Sequence, residues 1–410
     1  MPRSQLYGWL VVAVCFVALS LSFSARSVLG LAMPYVEADL GWSRSFVSAG
    51  GAVALVLMAA AAPVAGNLVD RFGPRALLSA GLALVGIGMA LTAGVSASWQ
   101  FLLAFSLVAG LGFGVIATHV ISAIASLRFE RHRGLAVGVA TAGSTAGQLL
   151  LIPLLAGVLA AAGWRWSYLA LGLASLALIP LVLVLIRRHR GGPAGGGQNP
   201  AAKDPLRDRL GMLRRSPVFH LLFWSVAICG FTTSGVIETH LLPYATTCGF
   251  PPLQSATAYG VLSAFNLGGM VLAGYLTDRM NRPLLLGGIY VMRALSFVLL
   301  LFVVNDLSLL FVFAIAFGLF DYSTMPPTAS LVASHLGPRV MGLTMGLLSA
   351  AHAAGAAAGA FLAGYLFDLF ARYYWIWVVS IALALVAGLL SFAIRETRSE
   401  ASAAALAGAD

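Results

Sequence analysis

The ten residues "GNLVDRFGPR" (66–75) recur in altered form as "GYLTDRMNRP" (274–283). The offset between the two copies is 208 residues, and it aligns Gly66, Asp70 and Arg71 with Gly274, Asp278 and Arg279. The same offset carries the Gly134 that follows "RFERHR" onto the Gly342 that follows "GPRVM". The spacing predicts two repeats of similar structure in one chain.

The composition requires lipid as the solvent of these repeats. Hydrophobic residues make up 60% of the 410 residues and charged residues only 9%, which excludes an ordinary soluble protein. Uncharged runs long enough for membrane helices, about 20 residues each, recur along the whole chain. The three cysteines provide neither a disulfide framework nor a CxxC metal signature. We therefore predict an all-α polytopic membrane protein.

Turn signals and charges predict twelve transmembrane helices in two bundles of six. The predicted spans are 6–36, 44–68, 76–96, 99–127, 134–160, 166–186, 217–242, 254–276, 283–303, 307–334, 341–366 and 374–395. The N-terminal bundle is 1–186 and the C-terminal bundle, with a short cytoplasmic tail, is 217–410. Between them, 187–216 is a basic, Gly- and Pro-rich cytoplasmic linker, in which we expect a short interfacial helix near 205–213.

The distribution of basic residues predicts the orientation. Of the 24 Lys and Arg, 19 fall on the side of the predicted N-terminus, and the opposite loops hold only Arg44, Arg165 and Arg372. By the positive-inside rule, both termini are cytoplasmic. The net charge of +10 is explained in this way, without nucleic acid as a partner.

These motifs resemble those of the major facilitator superfamily of transporters. The resemblance is carried by the repeated Gly–Asp–Arg element, by the basic loop before Gly134 and by "GWRW" (163–166). "YGWLVV" (7–12), "GWSRS" (41–45), "THLLPYATTCG" (239–249) and "DYSTMPPTAS" (321–330) look like its bacterial branch related to monocarboxylate and oxalate/formate carriers. The resemblance implies alternating access by rocking of the two bundles.

The repeated element is a candidate gate. Its aspartate can accept hydrogen bonds from a helix N-terminus or from a nearby arginine, and its glycine permits close helix packing. In the family the element is linked to gating, which implies that role for Gly66, Asp70, Arg71, Gly274, Asp278 and Arg279. Orientation by positive charge alone would explain the arginines but not the repeated Gly and Asp.

Arg26 in "SFSARSVLG" (22–30) is a charge inside predicted helix 1, where a charge is costly unless it has a partner or a wet cavity. Helix 1 lines the cavity in the resembled fold, so Arg26 is a candidate ligand of a carboxylate; the alternative is that it snorkels to the outer surface. Glu238, in predicted helix 7, is its candidate ion-pair partner without substrate. The related carriers have a substrate-binding arginine in helix 8, where this chain has Met270.

Arg293 and Asp321 lie at similar depth on neighbouring predicted helices. We predict a structural ion pair, with proton transfer by Asp321 as the alternative. Further candidates for substrate binding are His119, His240 and His352, with Thr145, Gln148, Asn266 and Tyr322 as weaker ones. His352 and Glu238 are also candidates for proton coupling, although each histidine has a structural alternative.

The sequence thus predicts a secondary transporter of a small organic anion, a mono- or small carboxylate, with proton coupling. The alternative is a proton-coupled exporter of a neutral or cationic small molecule. We expect a monomer in the inner membrane, in contact with substrate, protons and lipid, with no enzymatic activity, cofactor or metal. A P-loop is absent from the sequence, which argues against an ATP-driven pump.

Overall fold

The computed structural model describes residues 3–42, 44–126, 129, 132–186, 205–303 and 306–396. These residues form helices joined by short connections and contain no strand. The all-α prediction is therefore confirmed for the described part of the chain. The linker residues 187–204 and the tail residues 397–410, for which we made predictions, lie outside it.

The described residues of the N-terminal half, 1–186, form seven α-helical segments. They are α1 (Arg3–Leu40), α2 (Arg44–Ala93), α3 (Ser98–Phe101), α4 (Gly110–Val115), α5 (Thr118–Ser126), α6 (Arg133–Ala162) and α7 (Trp164–Leu185). A π-helical segment, Leu102–Ala109, joins α3 to α4. The continuous run from α3 to α5 corresponds to the single predicted span 99–127.

The linker and the C-terminal half, 217–410, contain the remaining α-helices. They are α8 (Leu206–Arg215), α9 (Pro217–Gly230), α10 (Glu238–Thr247), α11 (Pro252–Thr277), α12 (Arg282–Leu300), α13 (Leu307–Phe320), α14 (Met325–His335), α15 (Met341–Phe370) and α16 (Tyr374–Phe392). The π-helical segment Phe231–Ile237 joins α9 to α10, and the 3-10 turn Tyr322–Thr324 joins α13 to α14. The expected short helix near 205–213 is present as α8.

Eleven helical runs in the described residues are long and apolar enough to cross a membrane. The predicted spans 44–68 and 76–96 fall in one of them, Ala49–Ala93. Gly73 lies between those two spans with φ 79° and ψ 170°, a conformation that interrupts helical geometry and that side chains disfavour. The prediction of twelve helices thus differs from the eleven runs at this one place.

Two pairs of helices make the most extensive contacts between the two halves. Helix α2 packs on α15, and α6 packs on α11. A Cβ atom on Gly66 would overlap the carbonyl oxygen of Gly342, and one on Gly134 would overlap that of Gly274. Only glycine permits backbones to approach so closely. Both glycines of the sequence repeat therefore lie at the interface, each against the other half of the chain.

Candidate functional site

At one of these contacts, Asp278 at the end of α11 receives the first amides of α6. The backbone N–H groups of Gly134 and Leu135 donate to its two carboxylate oxygens, at 2.8 and 3.0 Å. The positive end of a helix dipole stabilises such an anion. Burial raises the pKa of Asp278, while these amides and the nearby His132 and Arg133 act in the opposite direction. We name this arrangement the Asp278 latch.

Asp70 in α2 makes the equivalent contacts with α15. The amides of Gly342 and Leu343 donate to its two carboxylate oxygens, also at 2.8 and 3.0 Å. In addition, Arg209 of α8 donates to the same carboxylate in a buried ion pair. We name this arrangement the Asp70 latch. The hydrogen bonds that we expected at the repeated aspartate are thus present in both copies.

The arginines of the repeated element lie outside these hydrogen bonds. Arg71 and Arg279 are both exposed. The guanidinium of Arg279 stacks on the ring of Tyr275, 3.5 Å from its centroid. Their exposure suits interaction with water and lipid headgroups, whereas the aspartates and glycines make the contacts between the halves.

Arg26 lies half-buried on α1. Its guanidinium carbon is 4.0 Å from the centroid of the Phe23 ring, and Nη1 donates to the Met58 sulfur at 3.3 Å. Its Nε is buried without a hydrogen-bond partner. No carboxylate among the described residues forms an ion pair with Arg26. Its hydrogen-bonding capacity is therefore left largely unused, and its direct neighbours are an aromatic ring and a thioether.

The predicted ion pair between Arg26 and Glu238 is wrong for this conformation. Glu238 is exposed, and its Oε1 accepts a hydrogen bond of 2.9 Å from the Tyr322 hydroxyl. The Tyr322 hydroxyl also lies 3.2 Å from that of Ser234. Glu238 and Tyr322 remain close enough to Arg26 for electrostatic interaction. Arg26 of the N-terminal half therefore lies in the same region as Glu238 and Tyr322 of the C-terminal half.

Two further candidates lie beside this group. Gln148 in α6 donates to the Ser27 hydroxyl at 3.2 Å, next to Arg26 in the chain. Met270, at the position of the arginine in related carriers, is fully buried between the halves. Its sulfur contacts the hydroxyl of Thr145 at 4.0 Å, and its carbonyl oxygen packs against Gly138. This position is an apolar helix contact, which explains why no charged residue stands there.

His119 of α5 and His352 of α15 face one another across the interface. Their ring centroids are 5.7 Å apart, and the Nε2 atom of each is buried without a hydrogen-bond partner. The His352 ring also stacks near that of Tyr322, with centroids 6.3 Å apart. The sequence placed these histidines on separate helices, and the structure brings them together in one pair.

His240 lies apart from this pair. Its Nδ1 is 3.4 Å from the Tyr373 hydroxyl, and its Nε2 is 3.0 Å from the carbonyl oxygen of Ala360. Both ring nitrogens are therefore engaged within the C-terminal half. The structural alternative describes His240 better than substrate binding does, because neither nitrogen is left for a ligand.

The predicted pair of Arg293 and Asp321 is present and buried, with Nη2 and Oδ1 3.8 Å apart. The closer partners of Arg293 are on the run from α9 into the π-helical segment: the Cys229 sulfur at 3.0 Å, the Thr232 hydroxyl at 3.2 Å and the Thr233 hydroxyl. Asn266 donates to Oδ2 of Asp321 at 3.2 Å. Asn266 therefore belongs to this buried network, and Asp321 Oδ1 remains without a hydrogen bond.

Sequence reasoning missed two features of the site. Arg209 lies in a basic segment that we predicted to be a linker, where no repeat distinguishes one arginine from the next. The partners of Arg293 at 229, 232 and 233 depend on how the run from α9 into the π-helical segment orients its side chains. Among the described residues, no group of three His, Cys, Asp or Glu is arranged to hold a metal ion.

The family model of the Major Facilitator Superfamily matches residues 15–292 and 271–409 of this chain. The MFS-type transporter YcxA of Bacillus subtilis (strain 168), itself uncharacterized, is 25% identical over 98% of this chain and 99% of its own length. Human monocarboxylate transporter 11 is 31% identical over 69% of this chain, a match that spans 59% of that transporter.

Two solved structures of low identity share the fold. The E. coli fucose:proton symporter FucP superposes with a TM-score of 0.74 at 14% identity, covering 96% of this chain and all of that one. The human organic anion transporter MFSD10 superposes with a TM-score of 0.68 at 19% identity, covering 95% of this chain and all of that one. Both likenesses concern the fold alone.

Proposed function

The chain belongs to the major facilitator superfamily, a family of multi-pass membrane transporters of small molecules, and we propose that it carries a small organic anion with protons across the inner membrane. The substrate class that the site favours is a mono- or small carboxylate. Transport proceeds by alternating access, with residues 1–186 rocking against 217–410 in a monomer with twelve spans and cytoplasmic termini.

Arg26 is the observation that carries this proposal. Its guanidinium is half-buried, contacts an aromatic ring and a thioether, and has an unsatisfied Nε. A buried donor without a partner costs free energy, which an incoming carboxylate would recover through charge-assisted hydrogen bonds. Tyr322 and Gln148 supply further polar groups near it, and the pair of His119 and His352 adjoins Tyr322. Two monocarboxylate transporters among the relatives support the same substrate class.

The two latches support alternating access in this proposal. Each aspartate bonds to the helix N-terminus of the opposite half, so the contact exists only while these ends of the halves are together. We assign Gly66, Asp70, Gly274 and Asp278 to the cytoplasmic gate. Arg71 and Arg279 flank it as exposed positive charges.

Proton coupling belongs to groups that can change charge within the same region. Glu238 is exposed and hydrogen-bonded to Tyr322, which itself stacks near His352. Asp321 is held by Arg293 and Asn266, an arrangement suited to structural support. We therefore propose His352 and Glu238 as the principal proton sites and Asp321 as a secondary one.

Uptake into proteoliposomes with an imposed proton gradient tests the proposal. We expect the protein to accumulate labelled small carboxylates, and Arg26→Ala to reduce uptake by about 10- to 100-fold, because a hydrogen bond to a charged group contributes about 1.5–3 kcal/mol. Arg26→Lys should retain part of the activity, since it keeps the charge but loses the planar fork. Arg372→Gln, at an exposed arginine, is the control. Unchanged uptake by Arg26→Ala would refute the site.

The second candidate function is export of a neutral or cationic compound in exchange for protons. The exposed carboxylate of Glu238 beside Tyr322 favours it, since a cation would be attracted there. In the same vesicles, proton-driven transport of organic cations that is lost in Glu238→Gln and retained in Arg26→Ala would establish this alternative.

A further inference from the structure

Helix α8 connects to both halves at the Asp70 latch. It is ten residues long and precedes α9 with only Ser216 between them. Most of its side chains are exposed, but Arg209 and Leu213, one helical turn apart, are 3% and 1% exposed. A helix with a single buried stripe is held by that stripe, so these two residues determine where α8 lies.

Leu213 fastens α8 to the C-terminal half. It packs in a buried apolar cluster with Phe219 of α9, and with Val340 and Leu343 at the start of α15. Every partner in this cluster lies in the C-terminal half, and the connection to α9 is short. The helix is therefore expected to move with that half as one body.

Arg209 reaches from α8 to the N-terminal half. It donates to the carboxylate of Asp70 and to the side-chain oxygen of Asn67, both on α2. It also donates to the carbonyl oxygen of Arg339, just before α15, at 3.2 Å. One guanidinium thus joins groups of both halves at a point where the ion pair is almost completely buried.

We propose that α8 is a clasp that holds the cytoplasmic gate closed, with Arg209 as its positioning residue. Separation of the halves removes Asn67 and Asp70 from Arg209, which stays with the C-terminal half through Leu213. Opening therefore breaks the buried ion pair of Arg209 with Asp70 and the hydrogen bond to Asn67, in addition to the latch. This inference rests on the proposed gate, to which it adds a component outside the two repeats.

Distance measurements on the reconstituted full chain test the clasp. Spin labels at Phe72→Cys and Met280→Cys, two exposed positions beside the two latches, report the separation of the halves. The background is Cys248→Ala, because Cys15 and Cys229 are buried. We expect Arg209→Ala to raise the ratio of long to short distances about tenfold or more, since removal of one partner from a buried ion pair is strongly destabilising. Arg209→Lys should restore part of the short distance.

Arg207→Ala is the matched control, because Arg207 is an exposed arginine on the same helix. It should leave the distances unchanged, and an equal effect of both variants would overturn the proposal. If Asp70→Asn lengthens the distance but Arg209→Ala does not, the gate stands and the clasp is wrong. If neither does, the proposed gate fails together with the clasp. If Arg209→Ala does not fold, the same distances are measured in Arg209→Lys and Asn67→Ala. Distances that are unchanged from the wild type in both variants would refute the clasp.

Discussion

The Asp70 and Asp278 latches are two versions of one contact. In each, a carboxylate accepts hydrogen bonds from two amides in the first turn of a helix from the opposite half, with the same distances of 2.8 and 3.0 Å. They differ in what surrounds the carboxylate. Asp70 is buried and paired with Arg209, whereas Asp278 is half-buried and forms no ion pair within the described residues. The repeat determines the shared hydrogen-bond geometry, and Arg209 on α8 adds the ion pair that only the Asp70 latch has.

This comparison implies unequal contributions to the closed state. Loss of charge at Asp70 leaves Arg209 buried without its counterion, which costs about 3–5 kcal/mol when the partner of a buried pair is removed. Loss of charge at Asp278 weakens two hydrogen bonds, but it also removes the cost of burying the carboxylate, which is what raises its pKa, so the two effects oppose one another. Each such bond contributes about 1.5–3 kcal/mol at most.

We therefore expect Asp70→Asn to open the gate more than Asp278→Asn does. The ratio of long to short distances between labels at Phe72 and Met280 measures the effect. In an Arg209→Ala background the two asparagine variants should become similar, because the ion pair that distinguishes the latches is gone. Equal effects in the wild-type background would contradict the asymmetry, and a difference that persists without Arg209 would assign it to another cause.

The glycines should respond more evenly than the aspartates. Gly66→Ala and Gly274→Ala each place a methyl group against the backbone of the opposite half, at Gly342 and Gly134. Overpacking of this kind costs about 1–3 kcal/mol. We expect both variants to lengthen the label distance by similar amounts, since neither glycine contacts Arg209.

Gly268→Ala is the control for this steric effect. Gly268 lies on α11 with Gly274, and a Cβ atom there meets nothing within 4 Å. Alanine is a better helix former than glycine, so this change should be neutral or slightly stabilising. A lengthened distance in Gly268→Ala, measured in the same way, would show that the response comes from α11 in general and not from the contact between halves.

Much of this fold was accessible from the sequence because its signals are local or repeated. Long apolar runs predicted where the helices lie, since lipid leaves a backbone few alternatives. The offset of 208 residues identified Gly134 and Gly342 before any contact was known, and both provide latch amides. The loop element also predicts a break between 68 and 76, where the structure has one long helical run interrupted at Gly73.

The pairing of side chains was less accessible because it depends on how helices rotate and cross. Spacing gave Arg293 and Asp321 similar depth, yet it could not show that Cys229 and Thr233 are nearer to the guanidinium. Nor could it show that Arg26 faces Phe23 and Met58 instead of Glu238. In a basic linker, the buried arginine differs from its exposed neighbours only through its tertiary contacts.

The smallest effect that we expect separates the latches by pH. Burial raises the pKa of Asp278 in the closed conformation, so that this conformation binds a proton more readily than one in which Asp278 is exposed. By linkage, this contribution favours the closed gate at low pH. It is complete below the ordinary carboxylate pKa of about 4 and is lost as pH rises through the raised value.

The fraction of short distances should therefore increase on acidification in the wild type, and this increase should be reduced in Asp278→Asn. His132 lies close enough to Asp278 for electrostatic interaction, so His132→Gln serves as the second comparison. If the increase disappears in His132→Gln but persists in Asp278→Asn, the histidine is the responsible group. The opposite result is a closed fraction that falls on acidification in the wild type and does not change in Asp278→Asn. It would show that the hydrogen bonds lost on protonation of Asp278 outweigh the free energy gained by no longer burying its charge.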